Sequence, residues 1–357
     1  MRLALLTEIP APYRIPLFNA LSERVDLRVL FLAEHDPRRG FYEPHRDEWR
    51  FDNRVLRGPQ IKRGARWLVL NRGVLRELRR FHPDAVAVGG WNQPAFWLAL
   101  AYCRARRIPL LVWIESTARD ARSEARPLAV ARAAMVRGAS GAYVPGTAAA
   151  EYARSLGVEL VEIAPNAIDA SVFERAAVDR SGRDHCTFLY VGRLDPEKGL
   201  DTLLEAFRDV PGELMLVGEG GDGPRLRGLA GDRVRFEGPK DRDELVAYYR
   251  GADVFVLPSR SEPWGMVLNE AAAAGLPLVA TEESGAAHDL VDGNGFRLQA
   301  GDVPALREAM QRLAADPELR RACGERSREL AKRFTPEAWA DGVASAAGRA
   351  RRRTGRR

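Results

Sequence analysis

A chain of 357 residues, 46% hydrophobic and 29% charged with a net charge of +6, is long enough for two globular cores and too mixed for a disordered or fibrous chain. It has no apolar run of the ~18 residues that a membrane-crossing helix needs. Its three cysteines (Cys103, Cys186 and Cys323) are too scattered for a disulfide framework, and with the five histidines they show no metal-ligand spacing.

Only four of the 55 basic residues are lysines (Lys62, Lys198, Lys240 and Lys332). That arginine bias, beside alanine-rich helices, reads as codon composition, so no nucleic-acid partner is expected. The N-terminal apolar run is too short for a signal peptide and is broken by Pro10 and Pro12, so a cytoplasmic setting is expected.

Buried strands alternate with amphipathic helices along the chain, the pattern of parallel sheets covered by helices. In the first half, strands are predicted at 2–7, 27–32, 85–88, 110–114 and 141–144, with helices at 16–23, 72–81 and 94–106. The segment "RGARWLVLNRGVLRELRRF" sets arginines around Trp67, Leu70, Val74 and Leu78. It reads as a helix packed on its own sheet, with peripheral membrane contact as the sharper alternative. A polar stretch at 163–184 reads as a linker. In the second half, strands are predicted at 187–191, 213–217, 234–237, 254–257 and 277–281, and helices at 199–207, 243–250 and 266–274. The tail "GRARRRTGRR" reads as a solvated, disordered basic run; attraction to an anionic membrane surface is its alternative role.

The fold class that follows is α/β, with two Rossmann-like doubly wound domains facing across a cleft. Ligands bind such sheets at the carboxyl ends of the strands. "YVGRLDPEKGL" joins a strand to a helix through Gly192 and supplies two cations, Arg193 and Lys198, a place suited to phosphate. "LVGEGG" sets Glu219 in a glycine-rich turn, and Lys240 follows another strand beside Gly238. "LPSRSEPWGMVLNEAAAAG" combines Glu262 in a loop with Glu270 one turn inside the next helix. The first amides of that helix, from Gly265, Met266 and Val267, favour an anion, and a carboxylate suits a ribose diol or a sugar face.

These pieces, with "PNAID" before them and "GNGFRL" after, resemble the retaining glycosyltransferases of family 4, which have the two-domain GT-B architecture. The resemblance covers about 165–298 and is only architectural before that. It implies a hexosyltransferase that moves a sugar from a nucleoside-diphosphate sugar, UDP- or GDP-linked, to a hydroxyl acceptor in envelope polysaccharide, glycolipid or natural-product synthesis. No cofactor and no metal are implied. The acceptor is open among a lipid-linked sugar, a polysaccharide precursor and a small molecule.

The implied domains are an acceptor-side domain at 1–165, a linker at 166–186, a donor domain at 187–335, a helix crossing back at 336–349 and a basic tail at 350–357. Arg193 and Lys198 match the cations at the diphosphate, Glu270 the ribose ligand and Glu262 the residue beside the transferred sugar. Gly192, Glu219, Lys240, Trp264, Gly265, Met266 and Val267 fall around the donor. Pro12, Tyr13, Arg14, Gly90 and Trp91 fall on the acceptor side. Relatives often carry a histidine at the cleft after a first-domain strand. Here Glu115 stands in the comparable place.

Three rival readings stay open at this level. One is a nucleotide-sugar epimerase, another a phosphorylase on the same fold, and the third a non-catalytic nucleotide-sugar-binding protein.

Overall fold

The computed structural model describes residues 1–36, 46–63, 66–119, 126–174 and 185–355. In the first half, seven parallel strands run β1 (Arg2–Thr7), β2 (Asp26–Phe31), β3 (Asp52–Val55), then β6 (Ala85–Val88), β7 (Leu110–Trp113), β8 (Gly141–Val144) and β9 (Val161–Ile163). A separate antiparallel hairpin, β4 (Gln60–Arg63) and β5 (Arg66–Val69), is inserted after β3. The second half holds β10 (Thr187–Val191), β11 (Glu213–Val217), β12 (Val234–Gly238), β13 (Val254–Leu257), β14 (Leu278–Thr281) and β15 (Gly295–Leu298).

The sheet orders are β3-β2-β1-β6-β7-β8-β9 and β12-β11-β10-β13-β14-β15. Both are doubly wound, and each reverses direction beside its first strand. The central strands are buried on both faces, which is why they appear as unbroken apolar runs such as Val254–Leu257 and Thr187–Val191.

One core fills the second half. Two others line the two faces of the first sheet. The chain passes between halves twice. Ala167 belongs to a first-half core and Ile168 to the second-half core; Phe334 lies in the second-half core and Trp339 back in the first. The return is made by the helix Pro336–Thr354, started by Thr335, whose hydroxyl accepts the Ala338 N–H at 3.2 Å. Trp339 meets Phe18 edge-on at 5.9 Å.

Three expectations change. The basic tail is not a disordered run as far as Thr354: it continues the crossing helix, because Ala346, Ala347 and Ala350 bury one face. Its arginines pair with first-half acids, Arg349 with Glu162, Arg351 with Asp84 at 3.2 Å and Arg353 with Glu159 at 3.6 Å. The arginine-rich segment is split: Trp67–Val69 belongs to the hairpin, and the helix begins only at Val74, after Gly73 turns the backbone to φ 102°. The linker stretch begins at Ile163, the last residue of β9, and holds a short helix, Ser171–Glu174; its residues 175–184 lie outside the described residues.

Candidate functional site

In the second half the strand order reverses between β10 and β13, which opens a crevice at their carboxyl ends. Gly192 leaves β10 at φ 153°, and Gly218 leaves β11 at φ 133° against the Gly192 carbonyl, where a Cβ would clash. The loop then presents Arg193, 62% exposed, which pairs with Asp195 and with Glu197 at 2.7 Å. Lys198 closes the same loop. Gly199 (φ 67°) lets the loop pack against the Pro258 carbonyl beyond β13, and the Arg260 N–H donates to the Glu197 carbonyl at 2.8 Å. The two loops are thereby fixed side by side. Their consequence is an ion pair between Lys198 and Glu262, only 12% and 16% exposed, joining residues 64 positions apart.

The Glu262 loop is laced to the segment after β14. The Glu262 N–H donates to the Glu283 carbonyl at 3.2 Å, Gly285 to Glu262 at 3.0 Å, and Ala286 to Trp264 at 2.9 Å. Trp264 turns its indole into the core, so that it offers the cleft backbone only. Gly265, at φ 97°, starts the helix Met266–Ala273, and no side chain caps its first turn, where Met266 and Val267 stand half-buried. Glu270 sits half-buried on that helix and accepts the Tyr249 hydroxyl at 2.6 Å. Burial raises the Glu270 carboxyl above its ordinary pKa, against the pull of Tyr249 and Arg242.

The facing wall is built at the first sheet's own reversal, between β1 and β6. After β1 come Pro12 and Tyr13, both exposed, and Arg14, whose guanidinium lies 5.7 Å from the Tyr13 ring and 5.8 Å from that of Trp113. Burial disfavours the Arg14 charge, but Tyr13, Glu115 and Tyr143 more than restore it, and its pKa is raised. After β6, Gly90 (φ 150°) precedes Trp91, whose carbonyl accepts the Trp97 indole N–H at 2.9 Å. Asn92 and Gln93 both donate to Glu8, at 2.7 and 2.8 Å, tying the two loops together.

Glu115, just beyond β7, accepts the Asn166 side-chain amide at 2.7 Å. The Asn166 carbonyl accepts the Asn269 amide at 3.0 Å, and Asn269 accepts the Trp264 indole N–H at 2.9 Å. A continuous hydrogen-bond chain therefore runs from the first-half carboxylate to the Glu262–Gly265 loop. Two further contacts clasp the halves: Arg119 pairs with Glu282, and the Thr147 N–H donates to Asp289 at 2.9 Å.

The structure brings Arg193, Lys198, Glu262, Glu270 and the Gly265 turn to one end of the second sheet, and Arg14 and Glu115 to the corresponding end of the first. Glu219 is exposed, and Lys240 keeps to Glu244 (3.7 Å) and the Tyr248 ring (5.7 Å), on the rim. Sequence reasoning missed Tyr249, Asn166 and Asn269. Asn166 stands inside the quoted "PNAID" and Asn269 directly before Glu270, but an amide's partner across a domain boundary leaves no local spacing.

Two family models match consecutive parts of the chain: Glycosyltransferase Family 4 over 17–172 and Glycosyl transferases group 1 over 176–330. The chain belongs to the family 4 glycosyltransferases. Among relatives of this glycosyltransferase, the lipopolysaccharide core biosynthesis glycosyltransferase LpsE of Rhizobium meliloti is 36% identical over 176 residues, 47% of this chain and 51% of that one. A phosphatidyl-myo-inositol mannosyltransferase of Mycobacterium leprae is 36% identical over 197 residues, 50% of this chain and 51% of its own. The glycosyltransferase thus spans about half the length of the curated relatives it matches. Anabaena HepE, solved with UDP and glucose, superposes with a TM-score of 0.74 at 19% identity, covering 98% of this chain and 100% of its own. That likeness establishes the GT-B fold.

Proposed function

We propose that this glycosyltransferase moves a sugar from a nucleoside-diphosphate sugar to a hydroxyl acceptor, with retention at the anomeric carbon and without a metal. The observation that carries the reading is the Lys198–Glu262 pair at the sheet reversal, beside an uncapped helix start and facing Glu115. Breaking the sugar–phosphate bond leaves charge on a diphosphate. Lys198, Arg193 and the amides at Met266 and Val267 stabilise that charge. Glu262 lies beside the sugar, and Glu270 accepts the ribose hydroxyls. Glu219 and Lys240 flank the base. Glu115, held by Asn166, orients the acceptor hydroxyl and takes its proton as the new bond forms. Pro12, Tyr13, Arg14, Gly90 and Trp91 form the acceptor wall.

A UDP- or GDP-sugar is the proposed donor, since HepE, of the same fold, was solved with UDP and glucose. A lipid-linked or envelope acceptor is favoured by an open groove of about 520 Å³ on the first half, lined by Leu68, Pro94, Trp97 and Leu98 with Asn92 and Gln93. With exposed Ile61 and Leu70 on the nearby hairpin segment, it also favours peripheral contact with a membrane face. No helix among the described residues is long and apolar enough to cross a membrane.

The test is calorimetric binding of uridine-, guanosine-, thymidine- and adenosine-diphosphate sugars in the presence of a chelator. One donor binding, and binding weakly to Glu270→Ala, is the expected result. Failure of all four with the chelator and again with an added divalent cation removes the donor site, and binding only with the cation removes the metal-free mechanism.

A further inference from the structure

Tyr249 belongs to the helix Arg242–Gly251, not to the helix that carries Glu270. Its ring is fully buried, edge-on to Phe173 at 5.4 Å and tilted against Phe255 at 5.9 Å. For packing in that apolar setting a phenylalanine would serve as well. A hydroxyl taken out of water there is a cost unless it is bonded. The hydroxyl reaches Glu270 Oε2 at 2.6 Å, a short charge-assisted bond. A carboxylate otherwise free to turn about its last torsion is thus pinned from a second element.

We propose that Tyr249 is the positioning residue of the donor site: it holds Oε2 of Glu270 and reserves Oε1 for the ribose diol. This rests on the nucleotide-sugar reading above. The charged group acting on Glu270 among the described residues is Arg242, on the same helix as Tyr249. The strands β13 and β14 and the helices Ser171–Glu174, Ala287–Leu290 and Pro317–Ala331 also pack on the Glu270 helix. None of them contributes a named cause to the Glu270 shift, in which burial opposes the charge and Tyr249 supports it.

The experiment is calorimetric titration of UDP and GDP into wild type, Tyr249→Phe and Glu270→Gln at several pH values from acid to neutral, since burial raises the Glu270 carboxyl. Thermal midpoints are taken alongside. The diphosphate titrates as well, so the quantity read is the part of the acid-side loss of affinity that Glu270→Gln abolishes. In Tyr249→Phe that loss is expected to begin about one pH unit higher, with the thermal midpoint lowered by only a few degrees, because a bond to the ionised carboxylate has gone.

Wild-type and Tyr249→Phe curves that superimpose, both lying above Glu270→Gln, overturn the role of Tyr249 while leaving the donor site intact. A wild type that binds neither nucleotide, or a Glu270→Gln that binds like wild type, overturns the donor assignment of Glu270 and the role of Tyr249 with it.

Discussion

Lys198 and Glu262 show how a functional residue can be visible while its relation is not. Each stands in a recognisable stretch, yet their contact depends on β10 and β13 being neighbours and on Gly199 admitting the Pro258 carbonyl. On the proposed function, removing either cation beside the diphosphate takes away a preorganised charge. Lys198→Ala and Arg193→Ala are each expected to lower turnover about 10²–10³-fold, as loss of comparable oxyanion donors does. Initial rates of sugar transfer measure this, and near-wild-type rates in both variants refute the assignment. Gly265 is constrained differently. At φ 97° a Cβ would also stand 3.0 Å from Ser284 Oγ and 3.1 Å from Leu257. Gly265→Ala is therefore expected to cost about 1–3 kcal/mol in urea denaturation and to weaken donor binding by shifting the helix start. Tyr249 and Asn269 left no such signal: one is an aromatic in an apolar helix face, the other an amide among alanines.

At the scale of elements, most strands read correctly are buried in the sheet interior, because an unbroken apolar run bounded by glycine or proline has few other homes; the edge strand β12, half-exposed, was also foreseen, at 234–237. The hairpin β4–β5 and the edge strands β3, β9 and β15 were not foreseen. Their sequences, QIKR, RWLV, DNRV, VEI and GFRL, interleave charge with apolar residues, and an edge strand need bury only one side. The helix Thr147–Ser155 has no cap within its own half; its first amide is met by Asp289 from the other. Asp289→Ala is expected to cost about 1 kcal/mol, the usual worth of such a cap.

Burial raises the Asp289 carboxyl in the folded protein, with Thr147 and His288 opposing. The native state thus binds this proton more tightly than the unfolded chain. The resulting stability is complete below the unfolded pKa and is lost as pH rises through the folded one. Asp289→Asn keeps an acceptor and removes the charge. Its urea stability is expected to exceed that of wild type at neutral pH and to lose the advantage in acid; an equal difference at both would refute this.

For the molecule as a whole, the two-domain plan was legible from the repeated strand–helix grammar, and the family of the second half from its motifs. The first half was not legible in detail because its wall is made of scattered loops: Glu8 is tied to Asn92 and Gln93, and Arg14 leans on Trp113. The C-terminal helix had to be folded to be understood, since its arginines read as a free tail until their acids, contributed by first-half strands and loops, came alongside. Trp339 anchors that helix at 2% exposure. Trp339→Ala is expected to cost about 3–5 kcal/mol. A loss seen by probes of both halves in one transition would show that the halves unfold together.

The two passages of the chain between the cores, at Ala167–Ile168 and at Phe334–Trp339, restrict how the halves can move. A body joined to another at one point can swivel about three axes. Joined at two, it keeps a single easy rotation, about the line through both points, as a door turns on two pins. Glu115 is bonded to Asn166, the residue next to Ala167, and so lies near one pin. Opening the crevice about that line would then carry the rims apart while Glu115, close to the axis, is displaced far less than they are.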